Sequence, residues 1–384
     1  MQHHTIVHWS EEGEARSARW QSERGAPPPR KVSVVDDRIT ADDAYGLACQ
    51  GVGLLWRGDF QNARQLLSAL VRRAEHEPRK AAKEKASPAD AFNLERQARA
   101  QRARTLGMLL IPVDADYTIP LRRAPDLREA CAEAYGPASD AFVVSLRELL
   151  GVNGAHEWRR NGLELAAVKG RIHPHYGVFA PIRSEYVDLV AKAPLPAALS
   201  PTSVAFDIGT GTGVLAAVLA RRGVQRVIAT DMDERALACG KENVDRLGLG
   251  KQVEVMRADL FPEGRAALVV CNPPWVPARP SSPLEHGIYD FESRMLKGFL
   301  RGLSAHLEPG GEGWLLLSDL AEHLGLRSRE ELLAWIADGG LGVVGRIDTR
   351  PKHPKIADES DPLHRARKAE MTSLWKLAAA TAAL

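Results

Sequence analysis

From Val204 onward the chain alternates short apolar runs with stretches whose apolar residues recur every three or four positions. The runs at 204–208, 227–230, 253–256, 267–271, 313–318, 341–347 and 371–377 are too short for helices and read as seven buried strands. Between them, 214–221, 290–307 and 327–337 carry helical spacing. Strand followed by helix, repeated, predicts an α/β fold with a doubly wound sheet over residues 193–384. Ala267–Cys271 is apolar at every position, as expected of a strand covered on both faces.

Upstream the pattern is different. Residues 1–40 mix charge, glycine and Pro27-Pro28-Pro29, and read as a flexible N-terminal segment. From Asp42 to about Gly107, Leu47, Val52, Leu54 and Leu55, then Leu66, Leu67, Leu70 and Val71, fall at spacings of three and four. A further helix is expected from Pro88, capped by Ser87, and another over 140–150, ended by Gly151. Residues 41–162 therefore read as a mainly helical N-terminal domain that prepares a substrate surface. Over 163–192 a hairpin turning at Lys169-Gly170 leads into a helix opened by Pro181.

Composition narrows the class without naming it. The 384 residues are 45% apolar and 26% charged, with a net charge of +2, so no global charge argues for a nucleic-acid partner. The basic row Arg96, Arg99, Arg102 and Arg104 leaves open a solvated helix face or a phosphate-binding or acidic-partner surface. Cys49, Cys131, Cys239 and Cys271 have neither metal-ligand nor disulfide spacing, which fits a reducing, cytoplasmic location. No apolar run is long enough to span a bilayer, so no membrane association is expected. His3, His4 and His8 read as tail residues, and His173 and His175 lack a third ligand nearby, so no metal is expected.

The chemistry gathers at strand ends. Asp207-Ile208-Gly209-Thr210-Gly211-Thr212-Gly213 closes the first buried strand and opens a helix. Glycines at alternate positions let a ligand lie against bare backbone, and the helix start offers unpaired N–H groups. The residue after Gly213 is Val214, so the turn is not the dinucleotide pattern G-x-G-x-x-G. Asp231 ends the second strand, where a carboxylate can take both hydroxyls of a ribose, and Asp259 follows the third. The fourth strand ends in Asn272-Pro273-Pro274-Trp275. Asn272 brings an amide oxygen to this strand end, the two prolines fix their carbonyl directions, and Trp275 offers a flat face.

These two motifs resemble motif I and motif IV, Asn/Asp-Pro-Pro-aromatic, of class I S-adenosylmethionine (SAM)-dependent methyltransferases that act on planar nitrogens. The resemblance covers roughly residues 170–384. It is strongest to release-factor glutamine methyltransferases and to ribosomal RNA guanine-N2 methyltransferases, whose N-terminal domain is usually a degenerate copy of the catalytic one; no such copy is evident in this sequence. It implies a Rossmann-like seven-stranded sheet of order 3-2-1-4-5-7-6. SAM would be the cofactor, held by Asp207, Gly209, Thr210, Gly211, Gly213, Asp231, Met232, Asp259, Leu260 and Asn272, with Asn272, Pro273, Pro274 and Trp275 at the reacting nitrogen. Pro181, Arg183 and Glu185 resemble the lead-in of the glutamine enzymes, and Tyr176, Phe179, Arg183, Lys352, Lys355 and Arg365 become candidates for substrate contact. The implied partner is a protein or RNA substrate connected with translation. A small-molecule N- or O-methyltransferase and a non-catalytic SAM-binding assembly factor remain the alternatives.

Overall fold

Two units make up the chain: Met1–Lys85 with Asn93–Glu157, and Ala86–Phe92 with Trp158–Leu384. The computed structural model describes residues 5–76, 87–138, 140–352 and 358–380.

The first unit combines helices with a sheet, and the described residues of the N-terminal segment form three strands. The unit holds a six-stranded sheet of β1 (Ile6–Glu11), β2 (Glu14–Gln21), β3 (Lys31–Val35), β4 (Val52–Trp56), β5 (Leu109–Val113) and β6 (Phe142–Ser145), in the order β1-β2-β6-β5-β4-β3. Its helices are α1 (Ala41–Cys49), α2 (Phe60–His76), α4 (Arg128–Tyr135) and most of α3 (Pro88–Leu106) and α5 (Leu146–Asn161); α3 up to Phe92 and α5 from Trp158 belong to the second unit. β1 and β2 form a hairpin whose turn residues, Glu12 and Gly13, have φ of 53° and 82°, the twist that tight hairpins require. Its polar residues face solvent, while Val7, Trp9, Ala18 and Trp20 pack with Leu55, Leu110 and Val143. β4 is buried at all five positions, and a short run of that kind has no periodicity to separate it from a helix. Residues 142–145 are strand rather than helix, and Gly151 lies inside α5. The Ser87 cap is present: its hydroxyl accepts from the Asp90 N–H at 3.1 Å. On α3, Arg102 and Arg99 reach Glu95 at 3.2 and 3.8 Å, so part of the basic row is paired within its own helix.

In the second unit a short hairpin, β7 (Leu163–Leu165) and β8 (Gly170–Ile172), turns through Lys169 at φ 52°. The lead-in helix α6 (Glu185–Lys192) begins later than Pro181, because the Ile182 N–H turns back onto the Ala180 carbonyl. Then come β9 (Val204–Ile208), α7 (Val214–Arg221), β10 (Arg226–Asp231), α8 (Glu234–Arg246), β11 (Val253–Arg257) and β12 (Ala266–Cys271). The remainder is α9 (Arg294–His306), β13 (Leu307–Ser318), α10 (Leu320–His323), α11 (Arg329–Asp338), β14 (Leu341–Thr349), α12 (His364–Ala369) and β15 (Thr372–Ala379).

The sheet order is β11-β10-β9-β12-β13-β15-β14, which, counted within this sheet, is 3-2-1-4-5-7-6. β9, β10, β11, β12 and β13 run parallel, and β15 is antiparallel to both β13 and β14. Each face has its own core. Val214–Ala220 of α7 is buried throughout on one side, and Leu296, Phe299, Leu300 and Leu303 of α9 cover the other. This double cover makes β12 buried at all six positions and leaves only the strand ends open to ligands.

Candidate active site

The backbone after β9 turns through Gly209, Gly211 and Gly213 at φ of 70°, 54° and 78°, conformations that side-chain-bearing residues rarely adopt. At Gly213 a Cβ would also lie 3.1 Å from the Gly240 carbonyl oxygen on α8. One carboxylate oxygen of Asp207, Oδ2, accepts from Thr210 Oγ1 at 2.6 Å and from the Ala216 N–H at 2.9 Å, tying the turn to the first turn of α7. Behind it the buried Asn243 donates to the carbonyls of Thr212 (3.1 Å) and His173 (3.2 Å), and accepts the His173 N–H at 2.7 Å. The two histidines of this segment are engaged: His173 Nδ1 lies 2.6 Å from the Arg159 carbonyl oxygen, and His175 Nε2 lies 2.7 Å from Glu242. Asp231 accepts the Gly211 N–H through Oδ2 and the Asp233 N–H through Oδ1, both at 3.0 Å.

A cavity of about 200 Å³ opens over this turn. Gly209, Thr210, Gly211, Asp207, Asp231 and Asn272 line it, as do Phe179, Tyr186 and Met295. Three aspartates, Asp207, Asp231 and Asp233, stand in the lining, and among the described residues no lysine or arginine does. Burial, with the nearby charge of Asp231, raises Asp207 to about 6, and burial raises Asp231 as well. Carboxylates held this way lower their energy when a cation enters, and a ligand carrying a sulfonium and an ammonium fits that need. Gly213 shapes the turn without lining the cavity. Met232, 56% exposed, and Asp259 and Leu260, which follow β11, are also outside its lining, and the Leu260 carbonyl accepts from Thr230 Oγ1 at 2.6 Å.

Asn272, Pro273, Pro274 and Trp275 follow β12 directly. Trp275 Nε1 donates to Asn272 Oδ1 at 2.9 Å. The indole also has the Arg183 guanidinium 5.1 Å from its centroid and the Tyr186 ring edge-on at 6.4 Å. Beyond this turn is a second cavity, also about 200 Å³, which shares Phe179, Tyr186, Asn272 and Gly287 with the first. Its other walls include Phe92, Val276, Tyr289, Leu320, Leu324 and Leu363, with Arg183 and Arg367 as its charged residues. Phe92, Val276, Leu324 and Leu363 form a small buried cluster of their own. Asn272 thus stands where a carboxylate-lined cavity meets a mostly apolar one.

The expected substrate residues divide. Phe179 lines both cavities and Arg183 the second. Tyr176 lies under the Arg235 guanidinium, 5.6 Å from its centroid, and lines neither. Lys352 borders a separate cavity of about 330 Å³, together with Glu185, Asp188 and Asp348. Arg365 is exposed on α12, whose Arg367 lines the second cavity instead; Lys355 lies outside the described residues. Phe92, Tyr289, Leu324 and Leu363 carry no motif, and their shared wall comes from four separate parts of the sequence.

The sheet order, with a glycine turn after its first strand and Asn-Pro-Pro-Trp after its fourth, is the one that the resemblance to SAM-dependent methyltransferases leads one to expect. The family model for ribosomal protein L11 methyltransferase (PrmA) matches residues 194–273. A release factor glutamine methyltransferase of Cereibacter sphaeroides is 35% identical over 29% of this chain and 45% of its own length. A ribosomal protein L11 methyltransferase of Pelotomaculum thermopropionicum is 43% identical over 19% of this chain and 24% of its own, and that of Sorangium cellulosum 34% identical over 33% of each. The chain thus spans less than half the length of these curated relatives. A solved ribosomal protein L11 methylase from Lactobacillus delbrueckii subsp. bulgaricus aligns at 15% identity over 52% of this chain and 79% of that one, with a TM-score of 0.36.

Proposed function

We propose that the chain is a SAM-dependent N-methyltransferase that methylates a planar nitrogen of a macromolecule connected with translation, either a protein glutamine amide or an exocyclic amine of an RNA base. The observation that carries this reading is the meeting, at Asn272, of a cavity lined by three aspartates with a mostly apolar one. SAM supplies an activated methyl group on a good leaving group, so the protein's task is alignment and stabilisation of charge. Asp207 and Asp231 favour a cationic ligand, and the bare glycine backbone allows it to lie close. On the acceptor side, the Asn272 oxygen and the Pro273 carbonyl accept the N–H bonds of the target group. That draws the nitrogen lone pair out of conjugation and turns it toward the methyl group.

The second cavity favours the side-chain amide of the two acceptors. Asn272, Trp275, Tyr289 and the two arginines are among its polar lining residues, and much of the remaining wall is hydrocarbon. An amide on an aliphatic stem buries its one polar end where partners exist. A base would bring ring nitrogens and carbonyls against Leu324 and Leu363, where each unpaired polar group costs about 1–3 kcal/mol. At about 200 Å³ the cavity takes one inserted group.

The test is transfer of labelled methyl from SAM into a cell extract, followed by protease or nuclease. Label released by protease and retained under nuclease supports the protein amide, and the reverse supports RNA. Label that survives both as a small molecule removes the macromolecular reading. SAM binding with no label in any fraction leaves a binding module.

A further inference from the structure

The Asn-Pro-Pro-Trp turn contains an internal hydrogen bond that its resemblance to motif IV does not explain. Trp275 Nε1 donates to Asn272 Oδ1 at 2.9 Å. An indole N–H is a donor only, whereas a side-chain amide has an acceptor end and a donor end. If the Asn272 amide rotated by half a turn, its NH2 would meet the indole N–H and two donors would face each other. Only one of the two amide orientations is therefore compatible with Trp275. Its oxygen retains a second lone pair for another donor.

The indole is itself held from several sides. The Arg183 guanidinium packs on the ring, with Nε donating to Glu185 at 2.8 Å and Nη2 to Glu370 at 3.0 Å. The Glu370 side chain is 3% exposed and also accepts from Ser318 Oγ at 2.6 Å. Tyr186 meets the ring edge-on, and the buried Arg327 points Nη1 at the Trp275 carbonyl oxygen from 3.5 Å. Pro273 and Pro274 restrict the backbone between the two bonded side chains.

We propose that Trp275 is a positioning residue: its indole N–H locks the Asn272 amide so that oxygen, not NH2, is presented on the acceptor side of the junction. This rests on the methyl-transfer reading above. A target nitrogen brings N–H bonds of its own, so a reversed Asn272 would oppose it donor to donor.

Replacing Asn272 by aspartate removes the need for a lock, since both ends of a carboxylate accept. The expected result is that Trp275→Phe lowers kcat about tenfold, the loss of one hydrogen bond, with the acceptor KM and the SAM Kd nearly unchanged. In the Asn272→Asp background the same change should cost less than about twofold. The acceptor for these assays is the fraction labelled in the extract experiment. Equal losses in the two backgrounds would overturn the proposal, because a purely packing role does not depend on which acceptor Trp275 meets.

A second readout needs no acceptor. The ultraviolet resonance Raman band of the indole N–H, taken as wild type minus Trp275→Phe, should sit at its hydrogen-bonded position and move to the free position when measured in the Asn272→Ala protein. A band unmoved by Asn272→Ala refutes the lock. Failure to find any methyl acceptor refutes the transfer reading alone.

Discussion

Asp207 is the most exacting place to test the charge argument. Its side chain is 1% exposed, and the bonds from Thr210 and Ala216 both go to Oδ2, so asparagine can keep them through its own oxygen. Asp207→Asn then replaces Oδ1 by NH2 and removes the charge. Burial raises the native carboxyl from 3.8 to about 6. Below the unfolded value both states are protonated and wild type suffers no penalty. Between the two values the native state holds the proton more tightly, so wild-type stability falls as pH rises, and above the native value the penalty is constant. The difference of about 2 pH units corresponds to roughly 3 kcal/mol. Urea unfolding of the ligand-free proteins between about pH 4 and pH 8 should show Asp207→Asn gaining on wild type through that window and then holding its advantage. Its SAM affinity near neutral pH, read by calorimetry, should fall about 10- to 100-fold, as expected when a charged partner is lost. A stability difference that is flat with pH would refute the ionised buried carboxylate. Unchanged SAM affinity would refute its role toward a cation.

Two further substitutions probe the frame around the site. Glu370→Ala leaves the half-buried Arg183 with Glu185 as its remaining carboxylate and Ser318 without its acceptor, which should cost about 1–3 kcal/mol in urea unfolding; no measurable loss would show that the pair is dispensable. Gly213→Ala adds a Cβ 3.1 Å from the Gly240 oxygen at φ 78°, whereas Gly223→Ala, at φ 96°, meets nothing within 4 Å. The first should lose SAM binding and about 1–3 kcal/mol, and the second should show the backbone cost alone; equal stabilities and equal SAM affinities would remove the close-approach argument.

The sequence makes the second unit legible because its signals are local. A strand, a glycine turn and a helix fall within Val204–Arg221, and Asn272 directly follows a run that its place in the strand–helix alternation marks as a doubly covered strand. The first unit hides because its strands lack such signals. β2 shows mostly polar residues outward, and β4 is too short for a period. The turn at Glu12-Gly13 is the cue that could have marked the hairpin. At the site, what escapes sequence reading is assembly over distance: Arg183 and Glu370 bond across 187 positions, and Phe92 joins Leu363 in one wall. Asn243 and Gly240 support the glycine turn from α8 with no motif of their own.

If the proposed methyl transfer holds, the two cavities also restrict where the reaction's charge can go. The cofactor side stabilises positive charge through Asp207 and Asp231. In the acceptor cavity the charged lining groups are arginines that already have partners: Arg183 with Glu185 and Glu370, and Arg367 with Asp361 at 2.8 Å. Among the described residues, no aspartate, glutamate or histidine lines that cavity. An alkyl amine would arrive as an ammonium, and to react it would have to surrender a proton to a base that these walls lack. A side-chain amide or an aryl amine arrives neutral. Once methylated, it is so weakly basic that its proton leaves for water without a dedicated acceptor. On the proposed methyl-transfer reading the acceptor side therefore selects by protonation as well as by shape: a nitrogen already neutral near pH 7 would react there, and Asn272 would need only to hold its N–H bonds in place.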